Sequence, residues 1–148
     1  MNDVGTHSWL LLVYKVPPEP TARRVYVWRK LKRLGAILLH DAVWVLPPTP
    51  YTREQLQWLS AEIVEMTGEA LLWEAQLLSD QEEALVQQFV MQVDTVYREI
   101  LAALDKEEPD LVALSRQYQQ IKASDYFRSP LEQEVRQALM AATGGTEP

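Results

Sequence analysis

A run of basic residues near the start of the chain is the clearest chemical feature of the sequence. Six of the eleven residues from position 23 to position 33 are lysine or arginine, and none of the eleven is acidic. Such a local positive field can bind phosphates, a small oxyanion or an acidic partner surface. The same side chains can instead keep a helix face soluble, or dock it onto acidic helices of the chain itself. The residues leave these interpretations open.

The basic run falls on a predicted helix at residues 21–34, which ends at Gly35. At about 100° per residue, the inward side of this helix is formed by Val27, Trp28, Leu31 and Leu34. Arg24 also falls on the inward side, near the start of the helix. A buried arginine needs a carboxylate or carbonyl partner, so we expect either a structural pair or a ligand site there. The candidate residues for binding a ligand or nucleic acid are Arg23, Arg24, Trp28, Arg29, Lys30 and Arg33.

Other kinds of chemistry find little support in the sequence. There is no cysteine, no glycine-rich phosphate loop and no nucleophile elbow, so we predict no catalytic residues and no cofactor. The two histidines, His7 and His40, show no metal-ligand spacing, so no metal site is predicted and the chain is not expected to be an enzyme. The tryptophans lie on predicted regular elements and are interpreted as core residues, although Trp44 and Tyr14 can face outward on strands.

The first half of the sequence predicts an α+β fold of the ferredoxin-like β-α-β-β-α-β type. An apolar strand at residues 8–16 and the basic helix come first. Two short strands follow, at residues 36–39 and 42–46, joined by a tight turn at His40-Asp41. The second helix is predicted at residues 52–66, with Thr52 and Gln55 as its capping box, and residues 70–73 form the fourth strand.

The second half of the sequence predicts helices alone. A long helix runs to about Leu104, and two shorter helices begin near Pro109 and Ser129. We therefore expect a ferredoxin-like domain at 8–75, a helical segment at 79–142 packed on it, and a flexible tail at 143–148.

Charge and hydropathy limit the partners and the location of the protein. The formal net charge is −7, and all of it lies in residues 76–148, because residues 1–75 carry equal numbers of basic and acidic side chains. The first residues resemble no signal peptide, and no apolar run reaches the roughly 20 residues of a membrane span. We expect a cytoplasmic protein with no membrane partner.

Two stretches of the sequence follow recognisable motifs. The stretch from Arg24 to Ala36 matches R-V-x-x-W-R-x-L-K-x-x-G-A, and residues 43–47 match V-(Y/W)-x-L-P at a strand end. Both motifs resemble those of the N-terminal domain family of the chromate-resistance protein ChrB. The first strand with Pro17-Pro18 resembles the family's opening, and Ser124 to Phe127 resembles its D-(F/Y)-F segment. The resemblance covers roughly residues 8–142.

The resemblance implies a ferredoxin-like core and a regulator of a chromate-responsive operon, with site residues at Arg24, Trp28 and Arg29. Full-length ChrB proteins also carry a second, C-terminal domain. The same fold pattern resembles the PaaX-type phenylacetate repressors and the metal-dependent CRISPR adaptation nucleases. Those nucleases hold their metal with an aspartate at the end of the first strand, where this sequence has Tyr14-Lys15-Val16.

Three functional hypotheses follow. The first is a ChrB-type regulatory or accessory protein whose basic first helix contacts DNA, an oxyanion or a partner protein. The second is a homodimeric interaction module that does not bind nucleic acid, because ferredoxin-like sheets often pair through an exposed edge or face. The third, which has the least support, is a divergent ferredoxin-like metal-dependent nuclease.

Overall fold

The computed structural model describes residues 8–145, which form four strands and five helices. The chain divides into two compact units, one up to Ala84 and the other from Leu85. The elements in chain order are β1 (Ser8–Lys15), α1 (Thr21–Leu34), β2 (Ile37–Leu39), β3 (Val43–Leu46), α2 (Pro50–Glu65), β4 (Glu69–Gln76), α3 (Glu82–Leu104), α4 (Leu111–Lys122) and α5 (Leu131–Ala142).

The first unit is built on a four-stranded antiparallel sheet. The strands lie in the order β2-β3-β1-β4, so β1 pairs with β3 on one side and with β4 on the other. This order is the split β-α-β arrangement, and the predicted α+β, ferredoxin-like fold class is confirmed. Both edges of β1 are thus paired, and its sequence is a nearly continuous apolar run in which Trp9, Leu10 and Leu12 are buried.

One face of the sheet carries the core of this unit. Leu10 and Leu12 of β1 are buried there, opposite Leu46 and Trp44 of β3. Helix α2 contacts β1 and β4, and α1 contacts α2. The apolar residues that the two helices bury are Val27, Leu31, Leu34, Leu56, Leu59 and Ile63. Burying such side chains stabilises the unit by about 1.5–3 kcal/mol for each of them.

The predicted turn between β2 and β3 is present. His40 and Asp41 both have positive φ, at 53° and 62°, and the Ala42 amide donates to the Leu39 carbonyl at 3.0 Å. Positive φ at both central residues is the geometry of a type I′ turn, which matches the twist of a hairpin. Histidine and aspartate adopt it here without the usual Asn-Gly sequence.

The start of α2 differs from the prediction. The helix begins at Pro50 instead of Thr52, and its N-cap is Thr49. The Thr49 side chain accepts from the Thr52 amide at 3.0 Å, while the Thr52 hydroxyl accepts from the Thr49 amide at 2.8 Å. Proline at the first helical position already has the φ that a helix needs, so the helix starts two residues earlier than the Thr52–Gln55 pattern indicated.

The tryptophans do not all enter the core. Trp9 and Trp44 are buried, whereas Trp28, Trp58 and Trp73 are half exposed. The core interpretation is therefore wrong for these last three. Trp58 is on the outer side of α2 and Trp73 is on β4, where one face of the strand stays open.

The second unit is a helical cluster whose core includes Tyr97, Ile100, Tyr118, Val135 and Leu139. The Tyr97 phenol donates to Asp125 Oδ2 at 2.9 Å, and its burial together with this bond raises the pKa of Tyr97 above its usual range. Asp125 also accepts from the Ser129 amide at 2.9 Å. The phenol and the aspartate thus fix the connection between α4 and α5.

The predicted domain limits, 8–75 and 79–142, remain predictions, as does the packing of the helical segment on the sheet. Residues 146–148 of the predicted tail lie outside the described residues, and so does His7. None of the helices formed by the described residues combines the length and the apolar character that a bilayer crossing requires.

A matched pair of substitutions on α2 tests the role of its cap. Thr52 is fully buried, and its hydroxyl donates to the Pro47 carbonyl at 2.6 Å. We expect Thr52→Val to lower the free energy of unfolding by about 1–2 kcal/mol, because it leaves buried backbone groups without partners. Chemical denaturation measures the change.

Ser60→Ala on the same helix is the control. The Ser60 hydroxyl is buried and has no hydrogen-bond partner among residues 8–145. Its removal should leave stability unchanged or raise it by up to about 1 kcal/mol. Equal losses from both substitutions would show that the Thr49–Thr52 cap contributes nothing specific.

Candidate functional site

Helix α1 is held in place by three buried residues, Val27, Leu31 and Leu34. It begins after Pro20 and ends at Gly35, whose φ of 83° lets the chain turn directly into β2. Two basic residues in its last turn, Lys32 and Arg33, interact favourably with the negative end of the helix dipole. Most of the remaining helix surface faces solvent, and two adjoining depressions lie along it.

The first depression, here called the α1–hairpin groove, has a volume of about 640 Å³. It contains two of the predicted site residues, Arg24 and Trp28. Lys15 from the end of β1 adds a second positive charge, and Asp41 from the hairpin turn adds a negative one. The groove is lined by Tyr14, Lys15, Val16, Pro18, Thr21, Arg24, Val25, Trp28, Leu38, Asp41, Ala42 and Trp44.

Aromatic residues form the floor of this groove. Tyr14 is half-buried and hydrogen-bonded to Trp44. Burial raises the pKa of the Tyr14 phenol, and this effect outweighs the opposing effects of the Trp44 bond and of the Arg24 charge. Tyr14 therefore stays neutral at physiological pH. Trp28 is half exposed, and Lys32 Nζ lies 5.9 Å from the centre of its ring.

The two cations of the groove have no ion-pair partner among the described residues. Neither Lys15 nor Arg24 forms an ion pair or a hydrogen bond through its side chain with any residue from 8 to 145. Arg24 was expected to be buried, and this expectation is wrong, because the residue is exposed. The long side chain of an arginine beside a core commonly carries its guanidinium group to solvent.

The second depression borders the first along α1, shares Thr21 and Val25 with it, and has a volume of about 510 Å³. Three of the predicted site residues line it, namely Arg29, Lys30 and Arg33, and we refer to these three as the basic face. Lys30 Nζ lies 5.9 Å from the centre of the Tyr26 ring. Within residues 8–145, none of the three forms an ion pair with an acid.

One acid does lie at the border of the basic face. Tyr26 donates its phenol hydrogen to Glu62 Oε2 at 2.5 Å, and this bond raises the pKa of Tyr26. Glu62 accepts this bond from a neutral phenol and keeps its negative charge, but it forms no ion pair with the basic face in the described structure.

Arg23 has a structural contact. Its guanidinium donates to the carbonyl of Met66 at 3.2 Å, and Met66 is the C-cap of α2. A cation at this end of a helix satisfies a free carbonyl and favours the helix dipole. The candidate residues therefore divide into three groups: Arg23 joins α1 to α2, Arg24 and Trp28 line the groove, and the remaining three form the basic face.

Sequence reasoning placed Trp28 on the inward side of α1, and this placement is wrong, because half of its surface is exposed. The reasoning also missed Lys15 and Asp41 as parts of the same site. No local signal marks these two residues, since one ends a strand and the other sits in a turn. Only the β3-β1 pairing brings them beside α1.

No group of three or more metal-binding side chains occurs within the described part of the chain. His40 is exposed in the hairpin turn. The arrangement around α1 offers positive charge and aromatic surface, which suit the binding of anions.

Comparison with known proteins assigns this chain to a family. The family model described as "Protein ChrB, N-terminal" matches residues 24–106, which is more than half of the chain. The chain belongs to the ChrB N-terminal family. Protein ChrB of Cupriavidus metallidurans (strain ATCC 43123 / DSM 2839 / NBRC 102507 / CH34) is 30% identical over 144 residues. That match covers 89% of this chain and 44% of the relative, so the chain spans less than half of the relative's length. No solved structure matches the chain.

The ChrB N-terminal match begins at Arg24, so it includes every candidate residue of the groove and of the basic face, whereas Arg23 lies just before it. It also continues past the sheet into α3. The resemblance inferred from the motifs is thus confirmed for the family.

Stability measurements test whether Arg23 has a structural role that the residues of the basic face lack. Arg23→Ala should lower the free energy of unfolding by about 1 kcal/mol, because a half-buried bond to the α2 C-cap is lost. Arg29→Ala changes an exposed residue without such a bond and should stay within about 0.5 kcal/mol of the wild type. Thermal and chemical denaturation of both variants provide the comparison, and a larger loss for Arg29→Ala would contradict the division.

Proposed function

We propose that this ChrB-family chain is a regulatory module in chromate resistance whose basic face contacts the phosphates of duplex DNA. The observation that supports this most directly is the set of three cations on one side of α1 with no acid paired to them in the described structure. The proposal assigns no catalytic step to the chain, and the role implies a cytoplasmic protein.

The charge distribution supports contact through this face in particular. The acidic excess of the chain lies in residues 76–148, while residues 1–75 are neutral overall. A uniformly acidic protein repels DNA, but a local cluster of cations can still attract phosphates within the screening distance of about 8–10 Å. The buried residues on the opposite side of α1 fix the helix, so its cations approach the duplex as a rigid set.

The expected binding is modest and depends strongly on salt. Each phosphate that a lysine or arginine neutralises releases a condensed counterion. Three contacts predict that the logarithm of the association constant falls with the logarithm of salt concentration with a slope of about −2.7. Such contacts position the protein on DNA without reading its sequence.

Duplex binding measured by fluorescence anisotropy across salt concentrations tests the proposal. We expect the double variant Arg29→Glu/Arg33→Glu to lose at least about tenfold in affinity and to show a salt slope closer to zero by about 2. The matched control is Lys106→Glu/Arg116→Glu, which makes the same change in net charge at two exposed positions outside the first unit. The control should bind nearly as the wild type does, apart from a small general repulsion.

Two outcomes would contradict the DNA proposal. The first is a wild-type affinity that does not change between low and moderate salt. The second is an equal loss of affinity in the two double variants, which would show that net charge matters and the position of the charges does not.

The α1–hairpin groove favours a second candidate, a small oxyanion. Two cations without ion-pair partners in the described structure, Lys15 and Arg24, line the same groove and can approach a tetrahedral dianion from two sides. The neutral Tyr14 can add a hydrogen bond. The carboxylate of Asp41 opposes the two cations, so we expect weak rather than tight binding.

Isothermal titration with chromate and with sulfate measures this second activity. Arg24→Gln should weaken anion binding by about tenfold, which corresponds to the loss of one charged hydrogen bond. Arg29→Gln, in the second depression, should leave it unchanged. Binding that survives Arg24→Gln would place the anion elsewhere, and equal binding of both anions would indicate a site for charge and shape without selectivity for chromate.

A further inference from the structure

Strand β4 forms an edge of the sheet and exposes large apolar side chains. It pairs with β1 in continuous register from Glu69 to Gln76, and its other side has no strand partner within residues 8–145. Leu71 is 58% exposed and Trp73 is 54% exposed. Val13 of β1, which faces Leu71 across the strands, is 38% exposed. One face of the sheet therefore ends in an open apolar patch.

This edge lacks most of the devices with which proteins normally prevent strand-to-strand association. Such devices are short length, bulges, prolines and charged side chains, above all lysine, on the edge strand. Of these, β4 has only two acids, Glu69 and Glu74. The other edge strand, β2, has only three residues. By contrast, β4 has eight residues, no bulge in its register with β1, and no proline, lysine or arginine. An open edge of this kind is suited to pairing with another strand.

We propose that β4 pairs antiparallel with β4 of a second copy of this chain, about a twofold axis at Leu72, to make one continuous eight-stranded sheet. All neighbouring strands of the sheet are already antiparallel, so this pairing continues the existing pattern. A twofold axis perpendicular to the sheet places the same face of both copies on the same side of the joined sheet. Side chains alternate between the two faces along a strand, so the sequence numbers of two residues that face each other across the axis must differ by an even number. The proposal does not depend on the proposed function.

The sequence of β4 is complementary to itself about Leu72. In this register Leu71 faces Trp73 of the second copy, and Trp73 faces Leu71, so two apolar pairs form on the open face. Leu72 faces Leu72 of the second copy. Glu69 faces Ala75, and Glu74 faces Ala70, so no acid is placed opposite an acid.

Neighbouring registers fit less well. An axis at Trp73 places Leu72 opposite Glu74, and an axis at Leu71 places Glu69 opposite Trp73. Both arrangements pair a carboxylate with a large apolar side chain. The alternating pattern of the strand therefore selects the Leu72 axis, in which the acids face small alanine side chains.

The charge of one of the two acids on β4, Glu74, is already balanced within each copy. Glu74 accepts two bonds from the Arg53 guanidinium, at 2.6 and 3.0 Å, and one from the Ser8 hydroxyl at 2.9 Å. These contacts lower the pKa of Glu74 and hold its carboxylate beside a positive charge. Glu74 therefore does not repel a second copy, and in the Leu72 register Glu69 faces only Ala75, which favours a second copy as the occupant.

Sedimentation velocity from low to high micromolar concentration tests the proposal. Strand pairing buries less surface than a standard-size interface, so we expect a dimer that dissociates on dilution. Leu71→Lys and Trp73→Glu should each weaken dimerisation by about tenfold or more, because twofold symmetry repeats each substitution. Trp58→Glu is the matched control, since Trp58 on α2 is 58% exposed and lies outside the strand, and it should dimerise as the wild type does.

An equimolar mixture of Leu71→Lys and Trp73→Glu tests the register itself. In the mixed dimer, the introduced lysine of one chain faces the introduced glutamate of the other, and the remaining pair is the native contact between tryptophan and leucine. The mixture should therefore dimerise more strongly than either variant alone, which also shows that both variants are folded.

Three results would overturn the proposal. They are a wild-type chain that stays monomeric at every concentration, a Leu71→Lys variant that dimerises normally, and a mixture that associates no better than its components. The Arg29→Glu/Arg33→Glu variant should dimerise as the wild type does, so loss of DNA binding and loss of dimerisation are measured independently.

Discussion

The pairing of β1 on both sides is the constraint on which the first unit depends. Because β1 hydrogen-bonds to β3 and to β4, its backbone polar groups are satisfied although Leu10 and Leu12 are buried. This central position carries the end of β1 to the side of α1, where Tyr14 and Lys15 join the groove. The same strand order leaves β4 at the edge of the sheet. The groove and the open edge are thus two consequences of one strand order.

Helix α1 combines a structural side with a side that carries positive charge. Three apolar residues and the Arg23 bond to the α2 C-cap fix its position. The remaining cations lie on the same rigid element, which concentrates the local positive potential more than a flexible basic segment would. Residues 1–75 carry as many acidic as basic side chains, but no acid lies among residues 23–33, so the positive charge is concentrated on α1.

The family motifs have different physical roles. The segment from Ser124 to Phe127 is structural, because Asp125 binds Tyr97 and the Ser129 amide while Tyr126 and Phe127 pack against Phe89. The arginine-rich motif that begins at Arg24 is mostly exposed and leaves its cations available to anions. A substitution in the first motif acts through stability, whereas one in the second changes charge that the proposed function assigns to binding.

The sequence by itself determined the order of the elements, the fold class and the family, because strand and helix periods, prolines and glycines act over a few residues. It also identified the basic helix, since charge is a property of composition. Local pattern could not place Trp28 or Arg24, because both lie where a helix turns from its core side to solvent and a small rotation decides their exposure. Nor could it show that Asp41 and Lys15 share a groove or that Trp73 lies on an open edge. Those facts depend on which strands are neighbours, and strand order is decided by long-range pairing that only the tertiary structure contains.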